Sequence, residues 1–220
     1  MSIRALIFDL DGTLVDNMQF HADAWAEWHG RHGLAFDRPD FFRHTTGRAN
    51  AEIFAQLCPH ATAAELDVFA EEKEAIYREL YAPHRRPHIG LAALLEAAKR
   101  DGLPLAVATS APQINIDFTL NGIGLASRFA AVVNPRDGIR AKPHPDLFLE
   151  AARQLEVAPN DCLVFEDAPL GVEAARRAGM RCVAITTTLS ADIFSGCDNV
   201  LAAVPDFSAF TITGGRLALA

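Results

Sequence analysis

Apolar positions follow two rhythms along the chain. Short β-rich apolar runs fall at 5–8, 105–109, 131–133, 162–165 and 182–185, and each predicts a strand. Between them, 91–100, 115–120, 145–155 and 169–178 carry apolar residues at helical spacing. Pro169 suits a first helical turn and Gly179 a C-terminal cap. Strands alternating with helices after residue 88 predict βαβ units and a parallel sheet.

Residues 17–84 break that rhythm. They hold no convincing strand, but 18–32, 49–57 and 63–81 read as amphipathic helices. The stretch "YAPHRRPHIG", with Pro83 and Pro87, reads as a linker back to the α/β part. The economical arrangement is an α/β core made of 1–15 and 85–220, with a helical segment, 16–84, inserted after the first strand. The last ten residues, "TITGGRLALA", are expected to form a loose tail.

Composition narrows the class. The chain has 220 residues, half of them apolar, which suits one globular domain or one with a modest insert. A formal net charge of −8 offers no broad basic face for nucleic acid. Cys58, Cys162, Cys182 and Cys197 form no CxxC pair, and reduced, packed thiols suit a cytoplasmic protein. The first apolar run is short and broken by Asp9 and Asp11, unlike a signal peptide, and no run is long enough to span a membrane. A soluble cytoplasmic monomer is the expectation, with no membrane or nucleic-acid partner.

The polar residues at the ends of the apolar runs carry the chemistry. "LIFDLDGTLVD" places Asp9 and Asp11 just past the first strand, where carboxylates have no structural reason to sit together. "VATSAP" places Thr109 and Ser110 at the end of the second, and "LVFEDAP" places Glu166 and Asp167 at the end of another. "RAKPHPD" puts Lys142, one of only three lysines, in a loop before a helix. Ligands gather at the carboxyl ends of the strands of an open parallel sheet. Four carboxylates meeting there would repel one another, and a hard divalent cation would resolve the conflict; Mg²⁺ favours carboxylates together with phosphate oxygens.

Asp9-Leu-Asp11-Gly12-Thr13-Leu14, the Thr109/Ser110 pair, Lys142-Pro143 and Glu166-Asp167 resemble, in order, the four motifs of the haloacid dehalogenase-like (HAD) superfamily. The resemblance extends over nearly the whole chain and implies a Rossmann-like parallel sheet, with the helical insert as a mobile cap. It also implies roles. Asp9 would be the nucleophile that forms an aspartyl phosphate, and Asp11 the acid that protonates the leaving oxygen and then activates water. Thr109 and the Ser110 amide would hold phosphoryl oxygens, and Lys142 would neutralise charge. Asp9, the Asp11 carbonyl and Asp167 would ligate Mg²⁺, with Glu166 as a further ligand or a partner that orients one.

Within that superfamily the chain is most similar to the group of β-phosphoglucomutase and small sugar-phosphate phosphatases. Asp16, His21 and Trp25 match the opening of that group's cap. "TGRAN", containing Gly47 and Arg48, resembles its substrate loop, and Lys73 falls where the mutase has a phosphate-binding lysine. Each has a plainer alternative: His21 and Trp25 lie one helical turn apart and can simply pack, Arg48 can be solvated, and Lys73 sits among Glu71, Glu72 and Glu74 on a charged helix face. The chain departs from the mutase after Ser110, where Ala111-Pro112-Gln113 replaces a Ser-Lys-Asn run, leaving Gln113 or Asn115 to compensate, and at Asn17, where the mutase has Thr. A Mg²⁺-dependent phosphatase of small phosphorylated metabolites, sugar phosphates foremost, is therefore the expected activity. A β-phosphoglucomutase-type mutase is the alternative, and a silent phosphate sensor on the same fold is a third.

Overall fold

A computed structural model describes every residue other than Met1, Ser2, Thr46, Gly47, Asp137, Gly215 and Ala220. Strand β1 (Ala5–Phe8) lies inside a six-stranded, wholly parallel sheet. With β2 (Leu105–Ala108), β3 (Ala131–Val133), β4 (Cys162–Glu166), β5 (Arg181–Ile185) and β6 (Val200–Val204), the order is β3-β2-β1-β4-β5-β6. The order reverses direction at β1 and β4, which opens a crevice at their carboxyl ends.

Side-chain alternation explains why these runs are apolar throughout. Leu6 and Phe8 point to one face of the sheet, where they pack with Leu94 and Leu95 of helix α5 (Leu91–Arg100) and with Ile116 and Leu120 of α6 (Gln113–Gly122). Ala5 and Ile7 point to the other, against Phe148 of α7 (Asp146–Gln154) and Val172 of α8 (Pro169–Arg177). A strand covered on both faces has no use for polar residues until it ends. Beneath the crevice Phe8 and Phe165 stack at 4.8 Å, locking β1 to β4. Pro169 opens α8 and Gly179, at φ +72°, follows its end, as the sequence predicts.

Among the described residues of the insert there are four α-helices: α1 (Met18–Arg31), α2 (Arg38–Thr45), α3 (Asn50–Leu57) and α4 (Ala63–Tyr81). They share a third apolar cluster, in which Trp25, Trp28, Phe54, Ile76 and Tyr77 are buried. Helix α4 starts from a capping box, with Thr62 Oγ1 accepting from the Glu65 amide and the Glu65 carboxylate accepting from the Thr62 amide. Its inward face carries Lys73, Glu74, Tyr77 and Tyr81, so this buried face is partly ionic. Among the described residues no helix is long and apolar enough to cross a membrane.

One expectation needs correction. The final residues are not a loose tail: β7 (Phe210–Thr213) and β8 (Arg216–Leu219) pair as an antiparallel hairpin, with Phe210 buried against the sheet core. The two flanking runs and the Gly214-Gly215 pair between them were the hairpin signal. Strand β6 and helix α2 were also not foreseen. β6 is only partly buried at the sheet edge, and α2 begins Arg-Pro-Asp with little apolar periodicity.

Candidate active site

Backbone pairing at the crevice brings the first charges together. The Asp9 amide donates to the Phe165 carbonyl at 3.0 Å, continuing the β1–β4 ladder one residue past the strand. Asp9 therefore lies beside Glu166, the last residue of β4, and Asp167. Carboxylate oxygens of these three residues lie within 4.8 Å of one another, and all three residues are buried. Lys142, from the loop after β3, inserts its ammonium between them: Nζ donates to Asp9 Oδ1 and, at 2.7 Å, to Glu166 Oε1.

Charge here is under-compensated. Two like charges 4 Å apart repel by roughly 4 kcal/mol at an effective dielectric of about 20, and one ammonium cannot offset three carboxylates. Burial lifts the Asp9 carboxyl to about 7, with Glu166 and Asp11 adding to the rise and Lys142 opposing it. Burial, then Glu166 and Asp9, also lift Asp167 well above the carboxylate range, against the hydroxyl that Thr188 donates to it. Burial opposes the Lys142 charge, but Asp9 and Glu166 hold the ammonium above its ordinary range.

The backbone has been cleared to let the carboxylates sit there. A Cβ on Gly171 would lie 1.7 Å from Glu166 Oε1, and one on Gly12, at φ +77°, would lie 2.2 Å from Asp167 Oδ2. A buried all-oxygen donor set with excess negative charge fits a hard divalent cation such as Mg²⁺.

Asp11 stands apart from that set, on the cavity wall. Asn17 fixes it: Nδ2 donates to Asp11 Oδ1 at 2.6 Å and to the Tyr77 hydroxyl at 2.6 Å, while Oδ1 accepts from the Gly12 amide at 2.9 Å. Thr187 ties the same turn from the other side, donating its hydroxyl to the Gly12 carbonyl. Across the crevice, Thr109 Oγ1 accepts from the Ala111 amide at 3.1 Å, and the Ser110 hydroxyl is buried with no hydrogen-bond partner. Ala111 and Pro112 line the same wall and offer it no side-chain donor.

These groups face a cavity of about 430 Å³ between the sheet ends and the inserted helices. His21, Trp25, Arg48, Lys73 and Asn115 all line it. Trp25 is nevertheless packed into the helical core, and His21 stacks on Tyr77 at 3.7 Å. Lys73 is only 2% exposed, so the open helix face that its acidic neighbours suggest is not where it lies. Its Nζ donates to Glu74 Oε1 at 2.7 Å and to His21 Nδ1 at 2.9 Å. With Nδ1 accepting, the His21 ring proton sits on Nε2, 3.7 Å from Asp11 Oδ1. Arg48 is exposed at the cavity mouth, and Gly47 lies outside the described residues.

Asn115 is occupied rather than open. Its Nδ2 donates to Glu74 Oε2 at 2.5 Å and its Oδ1 accepts from Arg78 at 2.8 Å, which bridges α6 to α4. Gln113 is engaged elsewhere, donating to Asp117 at 2.8 Å on the exposed side of α6. Sequence reasoning missed Glu74, Arg78, Thr187 and Thr188; Asn50 closes the "TGRAN" stretch, but its bond to Glu74 has no signal there. The two threonines could have been found, since they follow β5 at its carboxyl end as Asp9 follows β1.

Comparison with known proteins agrees with this geometry. The haloacid dehalogenase-like hydrolase family matches residues 3–179, and the chain belongs to that family. Validoxylamine A 7'-phosphate phosphatase of Streptomyces hygroscopicus subsp. limoneus is 32% identical over 198 residues, spanning 90% of this chain and 92% of that protein. Fructose-1-phosphate phosphatase YqaB of Escherichia coli is 35% identical over 182 residues, spanning 81% of this chain and 94% of that protein. Among solved structures, a HAD hydrolase of family IA, variant 3, from Entamoeba histolytica superposes with a TM-score of 0.88 at 27% identity, covering 96% of this chain and 97% of that one.

Proposed function

We propose that the protein is a Mg²⁺-dependent phosphatase that hydrolyses small phosphate monoesters, sugar phosphates foremost, through an aspartyl phosphate on Asp9. One observation carries this reading: Asp9, Glu166 and Asp167 share a single buried ammonium, while Asp11 is held separately, two residues from Asp9, facing the same cavity. Two named phosphatases among the relatives support it.

A carboxylate oxygen of Asp9 attacks phosphorus, and the bond from phosphorus to the ester oxygen breaks. Asp11 delivers its proton to that oxygen as the alcohol leaves. Asp11, now ionised, takes a proton from water; the water oxygen attacks phosphorus and the bond to Asp9 breaks, releasing phosphate and both carboxyl groups. Thr109 and the Ser110 amide hold phosphoryl oxygens, and Lys142 offsets the charge shared by nucleophile and phosphate. Asp9, Asp167 and the Asp11 carbonyl, with Glu166 as a ligand or an orienting neighbour, would hold Mg²⁺, whose charge when bound offsets that of carboxylates and phosphoryl oxygens. Residues 16–84 act as a cap that encloses the ester against the core of 1–15 and 85–220, keeping bulk water out. Within the cap, His21, Trp25, Arg48 and Lys73 line the cavity on the side of the leaving group.

The test is a panel of small phosphate esters with Mg²⁺, reporting both free phosphate and rearranged ester. Phosphate release that disappears on chelation of the metal is expected. Isomerisation of β-glucose 1-phosphate to glucose 6-phosphate without net release would replace the phosphatase with a mutase. The Ala111-Pro112 wall argues against that outcome, since it gives a second phosphate no side-chain donor.

A further inference from the structure

The cap side of the cavity holds its positive charge in a cancelled form. Lys73 is the buried cation there, and the adjacent Glu74 carboxylate, itself 4% exposed, accepts from it at 2.7 Å. Glu74 is saturated: Asn50 donates to the same oxygen at 2.5 Å, and Asn115 donates to the other. Burial opposes its ionisation, but the Lys73 ammonium beside it holds its carboxyl down at about 2, so it is charged wherever the enzyme works. Arg78, the next cation along α4, is held by Glu71 at 2.5 Å and by Asn115. From the cap, the cavity lining among the described residues counts three carboxylates, Asp67, Glu71 and Glu74, against two cations, Lys73 and the exposed Arg48. A second phosphate placed there would meet no net positive charge and would lose its hydration. Hydroxyl groups need only hydrogen bonds, and the buried His21 Nε2–H, which has no hydrogen-bond partner, offers one on this wall.

We propose that Glu74 is a specificity-determining residue that cancels Lys73, and so restricts the site to monophosphate esters of uncharged, hydroxyl-rich alcohols and excludes bisphosphates. This rests on the phosphatase reading of the same site. Glu74 does not touch the reacting atoms; it sets the charge against which the distal end of the substrate is placed.

The experiment compares each monophosphate with its own bisphosphate, as fructose 1-phosphate against fructose 1,6-bisphosphate and glucose 6-phosphate against glucose 1,6-bisphosphate. In the wild-type enzyme with Mg²⁺, kcat/KM for the monophosphate is expected to exceed that for the bisphosphate by about tenfold or more, since one uncompensated charge near a phosphate is worth at least that factor. Glu74→Gln frees the Lys73 charge and should bring the ratio toward unity through a lower KM for the bisphosphate. The double variant Lys73→Gln/Glu74→Gln should restore the preference. A wild-type ratio near or below one overturns the assignment whether or not the variants fold, and so does an unmoved ratio in folded Glu74→Gln.

If no ester on the panel is hydrolysed, the phosphatase reading has failed and the charge argument is judged by binding alone. Calorimetric titration of the Mg²⁺-loaded Asp9→Asn protein should then show the monophosphate binding more tightly than the bisphosphate, and the reverse order rejects the role of Glu74.

Discussion

The molecule buries two lysines among carboxylates, and the two settings differ in kind. Around Lys142, three buried carboxylates share one ammonium, and the burden shows as carboxyl groups pushed toward the neutral form. Around Lys73, one carboxylate faces one ammonium, each further hydrogen-bonded, and Glu74 is pushed the other way, to about 2. A buried charge cluster that does not balance is a receptor for something that would balance it. A cluster that does balance shapes its surroundings without needing a ligand. The two ammonium groups thus serve opposite ends of one cavity.

The largest expected effect falls on the unbalanced cluster. Asp9→Asn should lower turnover at least about 10⁴-fold, read by phosphate release with mass spectrometry excluding deamidation, because in the proposed mechanism no other group replaces Asp9 as nucleophile. Retained turnover would remove Asp9 from the mechanism.

The lysines should then separate. Lys142→Met is expected to cost about 10²–10³ in kcat/KM, as for a lost charge-stabilising donor. Removing Lys73 instead leaves Glu74 buried without its counter-charge, so Lys73→Met should destabilise the fold by about 3–5 kcal/mol in denaturant unfolding. Equal losses of rate and stability in both variants would erase the distinction.

pH should act with opposite sign on the two regions. Asp9 has a folded pKa raised from 3.8 to about 7, so its contribution to the stability of the metal-free protein is complete below about pH 4 and lost as pH rises through 7. Binding Mg²⁺ requires the carboxylate, so the rise in melting temperature on adding Mg²⁺ should be larger at pH 8 than at pH 5. Glu74 has a folded pKa lowered from 4.5 to about 2, so its contribution is present above about pH 4.5 and is lost as pH falls toward 2. Melting curves of wild type and Glu74→Gln should converge over that acid window.

The smallest effect concerns orientation. Thr188 donates its hydroxyl to Asp167 Oδ2, and Thr188→Val should weaken Mg²⁺ binding by about tenfold, read by titration, while leaving the fold intact.

How far the sequence disclosed all this depends on where each residue sits. Asp9, Thr109, Glu166 and Asp167 were legible because each follows an apolar run that becomes a strand of a sheet buried on both faces, where polarity marks the strand end. Lys142 was legible from its Lys-Pro setting after β3. Glu74 was not, because it reads as one more acidic residue beside Glu71 and Glu72, and only the packing of α4 on α6 turns it inward to Asn115. Asn17 showed only as a departure from a related pattern, although it makes three hydrogen bonds in the site. Contacts between helices distant in the chain leave no local periodicity to read. The closing hairpin is easily overlooked because a Gly-Gly pair in the sequence reads equally as looseness.

Asn17 has one more consequence. Its single amide group grips Asp11 on one side and the Tyr77 hydroxyl of α4 on the other, so the aim of the Asp11 carboxylate is set by the seating of a helix more than fifty residues away in sequence. If that helix lifts, the bridge to Tyr77 opens and Asp11 loses half of the bracket that orients it. On the proposed mechanism, chemistry and enclosure would thereby be interlocked: with the helices lifted, a passing water molecule would find no aimed acid to work with.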